Sequence, residues 1–203
     1  ADAWYLLANV LESSGRLVEA ENALGHALDA RPEFEFALRD LCRLLTQTGQ
    51  HAKARDAVLK AIRQAPAVAD FHFYLGNALF LAKDYGGSAQ AYEKALVLNP
   101  GSAPMHLSHG HVLKRLQRYE EALEAYRRAS QTEPTNPQVQ VALGEALLMR
   151  GQMQEALACL QKALALDSER ADTVLSMANA LNTMGQHAAA MEHCRRALQI
   201  APD

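Results

Sequence analysis

The densest group of chemically capable side chains in this sequence is His106, His109 and His111, with His72 lying 34 residues before His106. Imidazole nitrogens are good ligands for zinc and related ions, provided several of them converge on one point. On a helix His106 and His109 share a face and could touch one ion. His111 lies about 140° further round a 3.6-residue turn and cannot join them. The set therefore reads as core or interface histidines, and no metal is expected. The three cysteines, Cys42, Cys159 and Cys194, are too few and odd in number for a disulfide framework, which points to reduced thiols and a cytoplasmic compartment. Cys194 falls in an apolar position and reads as a small hydrophobe. The sequence holds no glycine-rich phosphate loop and no Gly-x-Ser-x-Gly elbow. Glu120 and Glu121 sit where a helix opens, complementing its dipole. No catalytic residue and no cofactor are expected.

What positions these residues is a repeat. Leu11, Leu45, Leu79, Leu113, Leu147 and Leu181 form a column at a spacing of 34, and Ala27, Ala61, Ala95, Ala129, Ala163 and Ala197 form a second. A single globular core does not require one side chain at a fixed interval, whereas a stack of identical units does, because each presents the same contact to the next. Cutting at the period gives six units: 1–34, 35–68, 69–102, 103–136, 137–170 and 171–203. Each carries two blocks of apolar residues at offsets of three and four, hence two amphipathic helices. Gly15, Gly49, Gly151 and Gly185 separate the blocks, and Pro32, Pro66, Pro100, Pro134 and Pro202 follow the second block. The eighth place (Ala8, Cys42, Gly76, Gly110, Gly144, Ala178) and the twentieth (Ala20, Ala54, Ser88, Ala122, Ala156, Ala190) hold small residues, where the helices must approach closely.

Some positions depart from the pattern. Ser168 stands in for the proline, and Lys83 and Gln117 stand in for the turn glycine. Gly86-Gly87 opens a second helix at a cost of up to about 1 kcal/mol per glycine relative to alanine, so a local soft spot is expected there. The chain of 203 residues has a net charge of −3 and is 49% apolar. There is no basic excess for nucleic acid and no apolar run of the roughly 20 residues needed to span a bilayer. Neither a nucleic-acid nor a membrane partner is expected.

The pattern resembles the tetratricopeptide repeat in all six units. The stretch Tyr119-Glu120-Glu121-Ala122-Leu123-Glu124-Ala125-Tyr126-Arg127-Arg128-Ala129 reads almost as a consensus for it. The strict period of 34 separates it from the longer, RNA-reading pentatricopeptide relatives. The resemblance implies an all-α fold, a right-handed superhelical solenoid of antiparallel helix pairs forming one array over 1–203. It also implies a non-enzymatic scaffold for protein–protein interaction, binding a peptide or protein segment along the concave face lined by the first helices. The family's ligand-facing places carry over to Arg39, Arg43, Phe73, Asn77, Phe80, Leu107, His111, Lys114, Val141 and Asn179 as the peptide-binding groove. Phe73, Phe80, Leu107 and Val141, with Leu148 and Leu175, would form an apolar strip. Arg39, Arg43, His111, Lys114 and Arg115 would form a basic patch favouring a ligand of some acidic character. The family's carboxylate clamp is excluded: Tyr5 and Asn9 are followed by Asp40, which repels a carboxylate, and Phe73 and Asn77 by Ser108.

A second reading makes the array the substrate-recognition arm of a larger enzyme, such as an O-GlcNAc-type protein glycosyltransferase. Asn9, Asn77 and Asn179 would then hold substrate backbone, and catalysis would lie outside these residues. The end helices carry no polar cap, so an excised piece of a longer protein, or self-association through the ends, is expected.

Overall fold

The computed structural model describes residues 1–201; Pro202, assigned above as a helix stop, lies outside them. Among the described residues there are twelve α-helices and no strand: α1 (Asp2–Ser13), α2 (Leu17–Ala30), α3 (Glu35–Gln47), α4 (His51–Gln64), α5 (Ala69–Leu81), α6 (Tyr85–Leu98), α7 (Ala103–Arg115), α8 (Tyr119–Thr132), α9 (Pro137–Met149), α10 (Met153–Leu166), α11 (Ala171–Thr183) and α12 (His187–Ile200). The fold is an all-α helical repeat. It falls into two compact units, Ala1–Gly101 and a second beginning at Ser102, each holding three helix pairs.

The two identical columns act through their backbones as well as their side chains. Each first helix ends in a Schellman turn, in which a residue of left-handed conformation lets the next amide reach back to a carbonyl of the last turn. The acceptor is always the column leucine: Arg16, Gln50, Asp84, Arg118, Gln152 and Gln186 donate their N–H to the carbonyls of Leu11, Leu45, Leu79, Leu113, Leu147 and Leu181 at 2.7–2.9 Å. Each second helix instead ends with a plain i→i−4 bond to its column alanine, as in Arg31 N–H to the Ala27 carbonyl at 3.0 Å and Glu133 N–H to the Ala129 carbonyl at 2.9 Å, after which the chain turns extended. These alanines are buried, and a larger side chain there would hold the helices apart.

Within each pair, the eighth and twenty-fourth places match in size. Gly76 and Gly110 lie under the rings of Tyr92 and Tyr126, and a β-carbon at either glycine would collide with the ring; Gly144 faces Leu160 in the same way. Ala8 answers Leu24, and Cys42 answers Val58. The Ser88 hydroxyl, where other repeats have alanine, donates to the Gly76 carbonyl at 2.8 Å across the same close approach.

Buried polar residues at the fourth place fasten the loops. His72 Nε2 donates to the Pro66 carbonyl at 2.8 Å, and Gln140 Nε2 donates to the Pro134 carbonyl at 3.0 Å and to Ser130 Oγ at 2.9 Å. A loop carbonyl tucked under a helix needs such a donor, because an unsatisfied one costs about 1–3 kcal/mol. His72 is therefore a structural histidine.

At Gly86-Gly87 the chain forms an intact helix. The Asp84 carboxylate caps it by accepting from the Gly87 N–H at 3.0 Å, and a β-carbon on Gly87 would collide with that carboxylate. The glycine makes room for the cap, so the expected soft spot carries its own compensation. Cys194 is corrected: its thiol is exposed on α12 and is no core hydrophobe. No helix among the described residues is long and apolar enough to cross a membrane.

Lys83 and Gln117 hold φ of 64° and 61°, in the left-handed region that L-residues avoid. Lys83→Gly is expected to stabilise by about 0.5–1 kcal/mol and Gly151→Ala to destabilise by about 1 kcal/mol in urea titration. Gly76→Ala should cost about 1–3 kcal/mol through overpacking. Adding Tyr92→Leu should recover part of that loss, because Ala–Leu is the pair used in the first repeat.

Candidate peptide-binding groove

In the first unit, α3 and α5 present their exposed faces side by side and enclose an open groove of about 380 Å³. Arg39, Arg43 and Thr46 line it from α3, and Asn77, Phe80 and Leu81 from α5. Cys42, Tyr74 and Ala78 complete the lining. Four of the residues expected from the sequence, Arg39, Arg43, Asn77 and Phe80, thus converge on one cavity. Phe73 stands beside it, packed on Tyr92 (5.7 Å between ring centroids) and Tyr74 (5.9 Å). Phe80 is half-buried, with its edge against Tyr85 at 5.5 Å.

The arginines of the groove are already paired. Arg43 makes a two-pronged contact with Glu12, 2.7 Å on each arm, and Arg39 Nε donates to Asp40 at 3.2 Å. Asp40 is buried and accepts from the Tyr5 hydroxyl at 2.7 Å. That hydrogen bond, then burial, pushes the Tyr5 ionisation up, while the Arg43 fork holds the Glu12 carboxyl below its usual range. Desolvation pushes the Cys42 thiol up to about 12, so it is a protonated, unreactive part of the groove lining.

The second unit holds the other five expected residues, and they divide. Lys114 Nζ donates to Glu145 at 3.2 Å, and Glu145 also accepts from the Ser176 hydroxyl at 3.2 Å. His111 lies at the surface with Nδ1 3.0 Å from the Tyr126 hydroxyl. Asn179 is exposed. Leu107 is half-buried against Ala103, Ala129 and Val139. Val141 is corrected: only 7% of it is exposed, because α9 is the middle first helix of its unit and is buried on most sides. It builds the core and offers no surface anchor. The expected apolar strip is thus interrupted at Val141.

The same geometry qualifies the expected basic patch. In two places, a residue at the twelfth position of one repeat pairs with the ninth position of the next, Glu12 with Arg43 and Lys114 with Glu145. Side chains assigned to a ligand also tie neighbouring first helices together. The asparagines do not act alike either: the Asn77 carbonyl accepts from the Tyr92 hydroxyl at 2.6 Å, while Asn9 and Asn179 are exposed. Tyr74, Thr46 and Ala78 were not anticipated. Tyr92 was missed as well, although a tyrosine at the twenty-fourth place coinciding with glycine at the eighth was a readable signal. Among the described residues no group of three or more His, Cys, Asp or Glu side chains is placed to hold a metal ion.

Helix pairs of constant length, closed by identical turns and grooved along their first helices, define a helical-repeat interaction module. Models of the tetratricopeptide repeat match residues 1–34, 39–103, 113–172 and 147–203, and the chain belongs to that family. No curated protein sequence matches it. Among solved structures it is similar to YrrB, a TPR protein with an unusual peptide-binding site (TM-score 0.72, 22% identity, covering 89% of this chain and 93% of that one). It is also similar to pilF of Pseudomonas aeruginosa (TM-score 0.82, 17% identity, 99% and 91%) and to MamA of Desulfovibrio magneticus RS-1 (TM-score 0.74, 20% identity, 83% and 95%). At these identities the likeness is one of fold.

His111 gives a pH test. Desolvation, then Lys114, lowers its pKa; Arg115 acts in the same direction and Glu145 against them. It should titrate below the ordinary value of about 6.5 in a proton-detected NMR titration. Because the folded pKa lies below the unfolded one, the unfolded chain binds the proton first as pH falls. Stability contributed by neutral His111 is present above the ordinary value and declines as pH drops through that range. His111→Gln should flatten that part of the stability–pH curve.

Proposed function

We propose that this chain is a non-enzymatic binding scaffold that takes an extended peptide or protein segment along its first helices, with the α3–α5 groove as the docking position in the first unit. The observation that carries this reading is the convergence of Arg39, Arg43, Asn77 and Phe80 on one cavity that also has an apolar lining of Ala78, Leu81 and Tyr74. A concave, largely apolar surface with a few polar groups is the usual form of a recognition site. An apolar side chain of the ligand fills the space between Phe80 and Tyr74. The paired arginines, balanced by Asp40 and Glu12, add little net charge, so the apolar anchor carries most of the affinity. In the second unit His111, Lys114 and Asn179 offer polar contacts of their own.

The test is a selection of peptides from a random library on the full chain, followed by affinity measurement. Phe80→Ala should weaken the selected peptides by about tenfold or more. Val97→Ala, a highly exposed position on the second helix α6, should leave them unchanged. Equal affinity for wild type and Phe80→Ala would remove the groove from the account.

A further inference from the structure

Two residues at the ninth place of the repeat, Asn77 of the groove and His111, are gripped from behind. Tyr92 on α6 and Tyr126 on α8 belong to second helices, yet each phenol passes over a glycine of the first helix, Gly76 or Gly110, and ends on the very next residue. The Tyr92 hydroxyl donates to Asn77 Oδ1 at 2.6 Å, and the Tyr126 hydroxyl meets His111 Nδ1 at 3.0 Å. In the first, second, fifth and sixth repeats the twenty-fourth place is Leu24, Val58, Leu160 or Cys194, none of which has a hydroxyl to reach so far. The glycine–tyrosine combination thus does more than fill volume. It places a hydrogen-bond donor behind the ninth place in the third and fourth repeats alone.

The consequence is chemical. An asparagine amide offers one acceptor oxygen and two N–H donors, and a neutral imidazole offers one of each. Tyr92 takes one lone pair of Oδ1 and thereby fixes which way the amide turns, leaving both Asn77 N–H groups for the groove it lines. Imidazole Nδ1 is a far better acceptor than a phenol oxygen, so Tyr126 donates to it and the ring proton sits on Nε2. Burial of the Tyr126 phenol holds its proton in place, in agreement with its acting as the donor.

We infer that Tyr92 and Tyr126 are positioning residues that set Asn77 and His111 as uncharged donors, selecting ligands that present main-chain carbonyl oxygens. Neutral donors suit neutral acceptors. The arginine charges nearest Asn77 are already balanced by Glu12 and Asp40, so the groove holds little uncompensated positive charge to prefer a carboxylate. This inference rests on the groove reading above and specifies the polar half of recognition.

The test uses the full chain with ¹⁵N-histidine NMR and the library-selected peptides. In wild type, His111 should show the Nε2–H tautomer; Tyr126→Phe should shift it toward a mixture with little change in melting temperature. Tyr92→Phe should weaken the selected peptides about three- to tenfold, the range of one neutral hydrogen bond. Asn77→Asp, which replaces the donor by an acceptor of the same shape, should weaken them more. Wild-type affinity should change little between low and high salt. An Nδ1–H tautomer in wild type, or a peptide that is lost on Phe80→Ala but indifferent to Tyr92→Phe and Asn77→Asp, overturns the inference while leaving the groove in place. Affinity that collapses with salt overturns the carbonyl in favour of a carboxylate. A selection that yields no peptide, or peptides indifferent to Phe80→Ala, overturns the groove reading and this inference with it.

Discussion

Two helices joined by a three-residue turn can bury their facing sides only as closely as their β-carbons allow. In the first five repeats that limit is met at two points, the eighth place against the twenty-fourth and the twentieth and twenty-seventh places at the second helix. Where the twenty-fourth residue is a tyrosine, its partner across the gap is glycine; where it is leucine, the partner is alanine or glycine; where it is valine, cysteine. Total volume at the contact is kept roughly constant while the side chains change, as close packing in protein interiors requires. Helix spacing, the register of the Schellman turns and the exposure of the first-helix face all depend on that approach.

The same constraint shapes the surface. A glycine at the close approach leaves room for a tyrosine of the second helix to reach the ninth place of the first. Elsewhere the ninth place is left to solvent or is drawn into pairs with the neighbouring repeat. A regular frame thereby yields an irregular surface: Arg43 is tied to Glu12, Asn77 to Tyr92, His111 to Tyr126 and Glu145 to Lys114. Four copies of one position have four electrostatic surroundings, and part of their hydrogen-bonding capacity is spent within the protein.

Charge on the groove illustrates why counting residues misleads. Arg39 and Arg43 read from the sequence as an attraction for acidic ligands. In the folded unit, Asp40 lies buried next to them and Glu12 arrives from the previous first helix. Partly exposed pairs of this kind add little to stability, commonly less than about 1 kcal/mol. Their larger effect is to leave that surface with little net charge.

The sequence by itself determined the helices, their pairing, the turn positions and the family, because these depend on short-range rules repeated six times: apolar periodicity, a left-handed residue after each first helix and a small residue at each close approach. It also placed Arg39, Arg43, Asn77 and Phe80 on one face, since the positions of a helix face are fixed by its pitch. Only the tertiary structure decided that Val141 is enclosed, that Cys194 is exposed, that His72 serves a loop carbonyl, and that Asp84 rescues the glycine-rich start of α6. Those outcomes turn on which groups meet in space: a loop carbonyl six residues back for His72, an amide three residues on for Asp84, and for Val141 and Cys194 how neighbouring helices enclose or leave open one face. The pattern of places is local; the company each residue keeps is not.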